Sequence, residues 1–317
     1  MTQSDYKTGI LAAIFAYILW GVLPLYWKLL EPVSAAEVLA HRIIWSLLFM
    51  LLILTWKRQL RVGLAELKRI FSNWKPAIGM ILASCFISLN WFVFIWAVSH
   101  DRVIEASLGY YINPLLNVIL SFLFLKERFT RYQMYAVGFA FIGVTIMTSY
   151  YGVVPWVAFV LALSFGIYGL MKKLVQVGAM VGLTIETLLM TPFALIFIIW
   201  LYRQPTYSQA FTIEDLTMSR LLIGAGAVTA IPLLLFAISA RRISLSLIGF
   251  LQYIGPTIML LLGIFLYNEP FSLVQFISFI FIWIGLLIFT TSKTALFTRL
   301  FHKPKINSHK KKAQRLS

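Results

Sequence analysis

The sequence predicts an all-α integral membrane protein of ten transmembrane helices, arranged as two inverted five-helix repeats. Three observations lead there. Of 317 residues, 61% are hydrophobic and only 12% charged, more apolar surface than a soluble domain can hide. Apolar runs, each near the roughly 20 residues a helix needs to cross a hydrocarbon core about 30 Å thick, alternate with turns and charges along the whole chain. A pattern in the fourth run returns in the ninth. The runs are twice the length of a tilted barrel strand and keep no period of two, which excludes a β-barrel.

Taken in order, the runs are 9–30, 36–56, 75–98, 103–125, 131–149, 153–171, 181–201, 219–239, 244–266 and 272–291. The first exceeds a signal-peptide core and lacks a small-residue cleavage site, so it counts as a span. A basic loop, 57–75, separates the second and third. The fourth opens on Glu105 and carries Asn113-Pro114; the seventh carries Glu186 one turn in. Three segments follow from this layout: a first five-helix unit over 1–149, a second over 150–292, and a basic tail over 293–317.

The formal net charge is +16, but the basic residues sit between apolar runs and make no single patch for nucleic acid. If the N-terminus is cytoplasmic, 22 of the 27 Lys and Arg fall on the inner side, so both termini are assigned to the cytoplasm. The tail, rich in Lys and Arg, is expected to lie near anionic headgroups of the bilayer. Cys85 is the single cysteine, and His41 has no second histidine nearby, so neither a disulfide framework nor a metal site is expected. No phosphate-binding glycine loop or paired catalytic groups stand out, and the chain is expected to need no cofactor and to be no enzyme.

The internal repeat has an offset of 142 residues. It pairs Tyr111 with Tyr253, Ile112 with Ile254, Pro114 with Pro256, Leu120 with Leu262 and Glu127 with Glu269. Weaker echoes pair Trp20-Gly21 with Phe165-Gly166 and Glu37 with Glu186. Five spans is an odd number, so a second copy enters the membrane with opposite polarity. In secondary transporters that arrangement sets a central site between halves that rock against each other.

Eight strings in order, "YILWGVLPLYWK", "EVLAHRIIWS", "NWFVFIWAV", "EASLGYYINPL" with "KERF", "SFGIYGLMKK", "IETLLMTPFAL", "VTAIPLLLFA" and "GFLQYIGPTIMLLL", resemble the RarD branch of the EamA-type transporters in the drug/metabolite transporter superfamily. The resemblance covers residues 8 to 291. It implies a multi-pass permease of the bacterial inner membrane, two five-helix halves, and efflux of amino acids, metabolites or drugs. The first-helix glutamate that small relatives use for proton coupling is absent from the first span here.

Candidate substrate-binding residues come from polar faces and aromatic walls inside apolar runs, since polar side chains facing lipid would cost several kcal/mol. On the fourth span Tyr110, Asn113, Asn117 and Ser121 share a narrow face, with Tyr111 beside it; on the ninth, Gly249, Gln252, Tyr253 and Pro256 share an arc. Asn90, Trp91, Trp20 and Tyr168 complete the set. Each can equally be interhelical hydrogen-bond or packing material. Glu37, His41 and Arg42 form a tight group on the second span: Arg42 can bind a substrate carboxylate, or neutralise Glu37 or Glu105 as a latch. Glu105 is a proton acceptor or a helix-start residue paired with Arg102, and Glu186 mirrors Glu37 as a gate. Glu127 and Glu269 are expected to be solvated caps or ion pairs. The function these features predict is a secondary transporter of small organic solutes, with a channel or facilitator and a signalling or scaffold membrane protein as the alternatives.

Overall fold

The computed structural model describes residues 3–125, 130–152, 154–205, 207–240, 242–243 and 251–292. Glu127, Gly249, the start of the ninth run and the basic tail lie outside them, as do the side chains of Pro114, Asn117 and Ser121. The described chain is helical throughout, with no strand. Its helices are α1 (Gln3–Lys28), α2 (Ala35–Trp56), α3 (Leu60–Phe71), α4 (Trp74–Ser99), α5 (Val103–Leu125), α6 (Arg131–Tyr151), α7 (Trp156–Val175), α8 (Ala179–Tyr202), α9 (Leu216–Ala240), α10 (Ile254–Leu261) and α11 (Leu273–Ser292). Five of them, α1, α2, α4, α8 and α9, are long and apolar enough to cross a membrane; α6, α7, α10 and α11 hold shorter apolar stretches.

Local sequence sets the boundaries. Ser34 is the N-cap of α2, its hydroxyl accepting the Glu37 N–H at 3.3 Å. Asn73 caps α4 through the Lys75 N–H at 3.2 Å. Gln176 turns left-handed at φ 55° to end α7. α10 runs on into a wider π-helical turn over Leu262–Leu266, which sets Tyr267, Asn268 and Glu269 just past the apolar stretch.

The basic loop 57–75 holds a helix that charge counting alone does not reveal. In α3, Leu60, Leu64, Leu67 and Phe71 share one face, with Arg61, Lys68 and Arg69 on the others. Ile70 is fully buried beside Met80 and Val175. Such a helix suits the plane of a membrane surface.

Packing is mostly between residues before 150 and residues after it. α4 and α5 pack on α7, α2 packs on α8 and α9, α1 packs on α9 and α10, and α6 packs on α11. One core joins Trp27, Phe94, Leu161, Leu222 and Met259; a second joins Tyr111, Leu115, Ala136, Phe279 and Ile282. The α6–α11 contact is so close that a Cβ on Gly143 would lie 2.5 Å from the Ser278 carbonyl oxygen, and one on Gly285 would lie 2.6 Å from the Ala136 carbonyl oxygen. These contacts are reciprocal: Gly285 and Ser278 each stand 142 positions after Gly143 and Ala136.

Gly143→Ala should therefore push two backbones apart and lower stability by about 1–3 kcal/mol. Gly138→Ala on the same helix meets nothing within 4 Å and should be neutral or gain up to about 1 kcal/mol in helix propensity. Melting of the detergent-solubilised protein separates the two.

Candidate functional site

The buried carboxylates sit at the two ends of the bundle. At the end where α2 begins, Glu37 is fully buried in the first turn of the helix. Tyr202, at the end of α8, donates to it at 2.7 Å, and Tyr207 donates to its other oxygen. His41, one turn along, lies 3.2 Å from the Tyr202 hydroxyl and 4.0 Å from Glu37. The segment between α8 and α9 folds over this group, with the Phe211 ring 5.1 Å from His41 and 6.0 Å from Trp45. Outside Tyr207 lies a cavity of about 460 Å³ lined by Glu31, Ser34, Ser99 and His100 among others.

At the opposite end Glu186, on the third turn of α8, is 1% exposed. The Lys172 ammonium donates to it at 2.6 Å and the Tyr168 hydroxyl at 3.3 Å. Gly182, one turn before Glu186, makes room: a Cβ there would lie 2.0 Å from Lys172 Nζ. A buried ion pair survives only with such close geometry, because both charges have left water.

Two further carboxylates hold helix ends. Glu269 accepts the Val103 N–H at 2.6 Å and the Ile104 N–H at 2.8 Å, so it closes the start of α5 from the other half of the chain. It is 7% exposed, and the expectation of a solvated cap is corrected on that point: the π-helical turn tucks it against α5, where it meets buried N–H groups instead of water. Burial pushes its carboxyl pKa up, against the pull of those two N–H bonds. Glu105 accepts the Val157 N–H at 2.9 Å, at the start of α7, and pairs with Arg102 at 3.3 Å.

Arg42 has neither Glu37 nor Glu105 as a partner, since both are engaged elsewhere. Its guanidinium lies 4.8 Å from the Trp27 ring on α1 and 4.3 Å from the Trp91 ring on α4. The residue is 4% exposed, and its Nε and Nη1 are buried with no hydrogen-bond partner among the described residues. Two indole faces return about 2 kcal/mol each when desolvated, whereas an unpaired buried charge costs several.

The remaining candidates divide by what they touch. Asn90 donates to the Leu161 carbonyl and the Ser164 hydroxyl, both at 3.0 Å, and accepts from Tyr110 at 3.4 Å. Asn113 donates to the Ala162 carbonyl at 3.1 Å. These amides bind α4 and α5 to α7. Tyr111 bonds Thr257 at 2.6 Å and stacks on Tyr253 at 6.3 Å, joining α5 to α10. Trp20 packs between Tyr17 and Phe236. Gln252 is half-buried at the turn before α10.

Sequence patterns did not single out Tyr202, Tyr207, Phe211, Trp27 or Lys172. The tyrosines and Phe211 lie at or beyond a helix end, where no period marks them. Lys172 counted only as a loop charge.

An apolar helical bundle with its charges in its interior and at its ends is a membrane protein by class, and comparison with known proteins places it among membrane transporters. The profile of the EamA-like transporter family matches twice, over residues 7–149 and 154–291. The "Uncharacterized transporter YojE" of Bacillus subtilis (strain 168) is 47% identical, over 92% of this chain and 97% of that one. "Protein RarD" of Salmonella typhimurium is 42% identical and that of Escherichia coli (strain K12) 40%, each over 91% of this chain and 96% of theirs. A solved crystal structure superposes with a TM-score of 0.57 at 18% identity, over 89% of this chain and 97% of that one, which shows a shared fold. The chain belongs to the EamA-like transporter family.

Two outcomes follow for these ends. Glu269→Ala strands two buried N–H groups and should lower stability by about 2 kcal/mol or more in a thermal melt. Gly182→Ala should drive Lys172 off Glu186 and lower stability by about 1–3 kcal/mol, yet add nothing in a Lys172→Met background, because the two changes break one interaction.

Proposed function

We propose that the protein is a secondary transporter that exports small organic solutes across the bacterial inner membrane by alternating access. The carrying observation is the pair of buried carboxylate clusters at opposite ends of one bundle, Glu37 held by two tyrosine hydroxyls and Glu186 by one tyrosine hydroxyl and Lys172. With both termini cytoplasmic, the Glu37 cluster is the outer gate and the Glu186 cluster the inner gate, and opening one while the other stays closed moves the solute through.

The two halves are inverted repeats on this reading. Support comes from the two separate family matches, from the reciprocal glycine contacts of α6 and α11, and from packing that runs mainly between the halves. The site lies between them, near the faces of α4, α5 and the ninth run, with Trp91, Tyr110 and Gln252 as contacts; Asn90, Asn113, Tyr111 and Tyr253 set the walls by joining helices. Glu37, His41 and Glu186 are the ionisable groups through which proton antiport would act, while Glu105 holds the start of α7.

Counterflow in proteoliposomes tests the carrier mechanism: preloaded solute should accelerate uptake of its labelled form, and a channel would give no acceleration. Proton antiport predicts that transport falls when the pH gradient is collapsed at fixed voltage; unchanged transport would remove the coupling.

A further inference from the structure

Arg42 keeps two buried donors, Nε and Nη1, that meet no hydrogen-bond partner among the described residues. Trp27 Nε1 is buried without a partner, beside the guanidinium that its own ring covers. Ser46, one turn along α2 from Arg42, holds a buried hydroxyl with no partner among the described residues, free to donate or accept. Tyr110 gives its proton to Asn90. The carboxylates that could have balanced the charge are engaged: Glu37 by two tyrosines, Glu105 by Arg102 and Val157, and Glu269 by the start of α5.

A desolvated guanidinium with unpartnered donors, packed against two indole faces, matches a planar anion with two acceptor oxygens, because the fork of N–H groups then closes on both. It opposes a cation, whose charge would meet that of Arg42 in a medium that screens little. Trp27 and Trp91 would bury the apolar part beside the charged group. Resting on the transport reading above, we propose that Arg42 is the solute's anion-binding residue and that the transported class is organic carboxylates.

The test expresses the full chain, as wild type, Arg42→Gln and Arg42→Lys, in a bacterial host and profiles the medium by untargeted mass spectrometry, with melts of each purified protein. Compounds that accumulate outside on wild-type expression should be carboxylates at neutral pH. Their export should fall at least about tenfold with Arg42→Gln and less with Arg42→Lys, which keeps the charge but loses the fork. Removing an unpaired buried charge should leave the Arg42→Gln melting temperature at or above that of wild type. Neutral or cationic exported compounds, or full export by Arg42→Gln, would overturn the proposal. So would a collapse of the melting temperature in both variants, which assigns the guanidinium to packing. If wild type itself exports nothing, the transport reading fails first, before any Arg42 variant is compared, and the proposal falls with it.

Discussion

A carboxylate taken out of water must be met by donors, and in an apolar bundle those donors can come only from another part of the same chain. Four buried or half-buried carboxylates of this protein obey that constraint. Three of the links join residues before 150 to residues after it: Glu37 to Tyr202 and Tyr207, Glu105 to Val157, and Glu269 to Val103 and Ile104. The fourth, Glu186 with Lys172, fastens α8 to α7. The apolar cores bring the helices together, since they bury most of the area, and close contacts such as Gly143 on Ser278 resist sliding. The carboxylate links fix the register further, because each has one geometry that satisfies it.

The same links suit a protein that must change shape. A hydroxyl–carboxylate bond is strong while sealed and is weakened greatly by water, by a proton or by a competing donor. Tyr207 stands on a segment between helices, so its bond to Glu37 can break without unpacking α2, leaving Tyr202 on α8 as the second bond. Glu269 and Glu105 differ: their partners are backbone N–H groups at fixed helix starts, where release would strand donors. Two kinds of carboxylate therefore coexist in one bundle, one suited to hold and one suited to let go.

Much of the helical layout was legible in the sequence, because membrane crossing demands long apolar runs with polar breaks. The helix inside the basic loop was not, since α3 carries its apolar residues on one face only and reads as charge when averaged. The Glu37 group was partly visible: Glu37, His41 and Arg42 stand within two turns, but the partners of Glu37 and His41 come from residues more than 150 positions away, at or beyond a helix end without periodic pattern. Arg42 itself was ambiguous between latch and ligand, and its setting between Trp27 and Trp91 depends on helix packing that no local spacing reveals. Glu269 was visible as a repeat partner of Glu127, yet its burial depends on a π-helical turn for which the sequence has no evident signal.

The central claim is that two opposed halves close one end of the bundle as the other opens. Pulsed electron spin resonance on paired nitroxides measures it directly, with one pair at Glu31 and Ser208 and the other at Lys57 and Gln176, all exposed positions at opposite ends. Across conditions that drive transport, the account predicts that one distance lengthens while the other shortens. Distances that stay fixed, or that lengthen together, would contradict it.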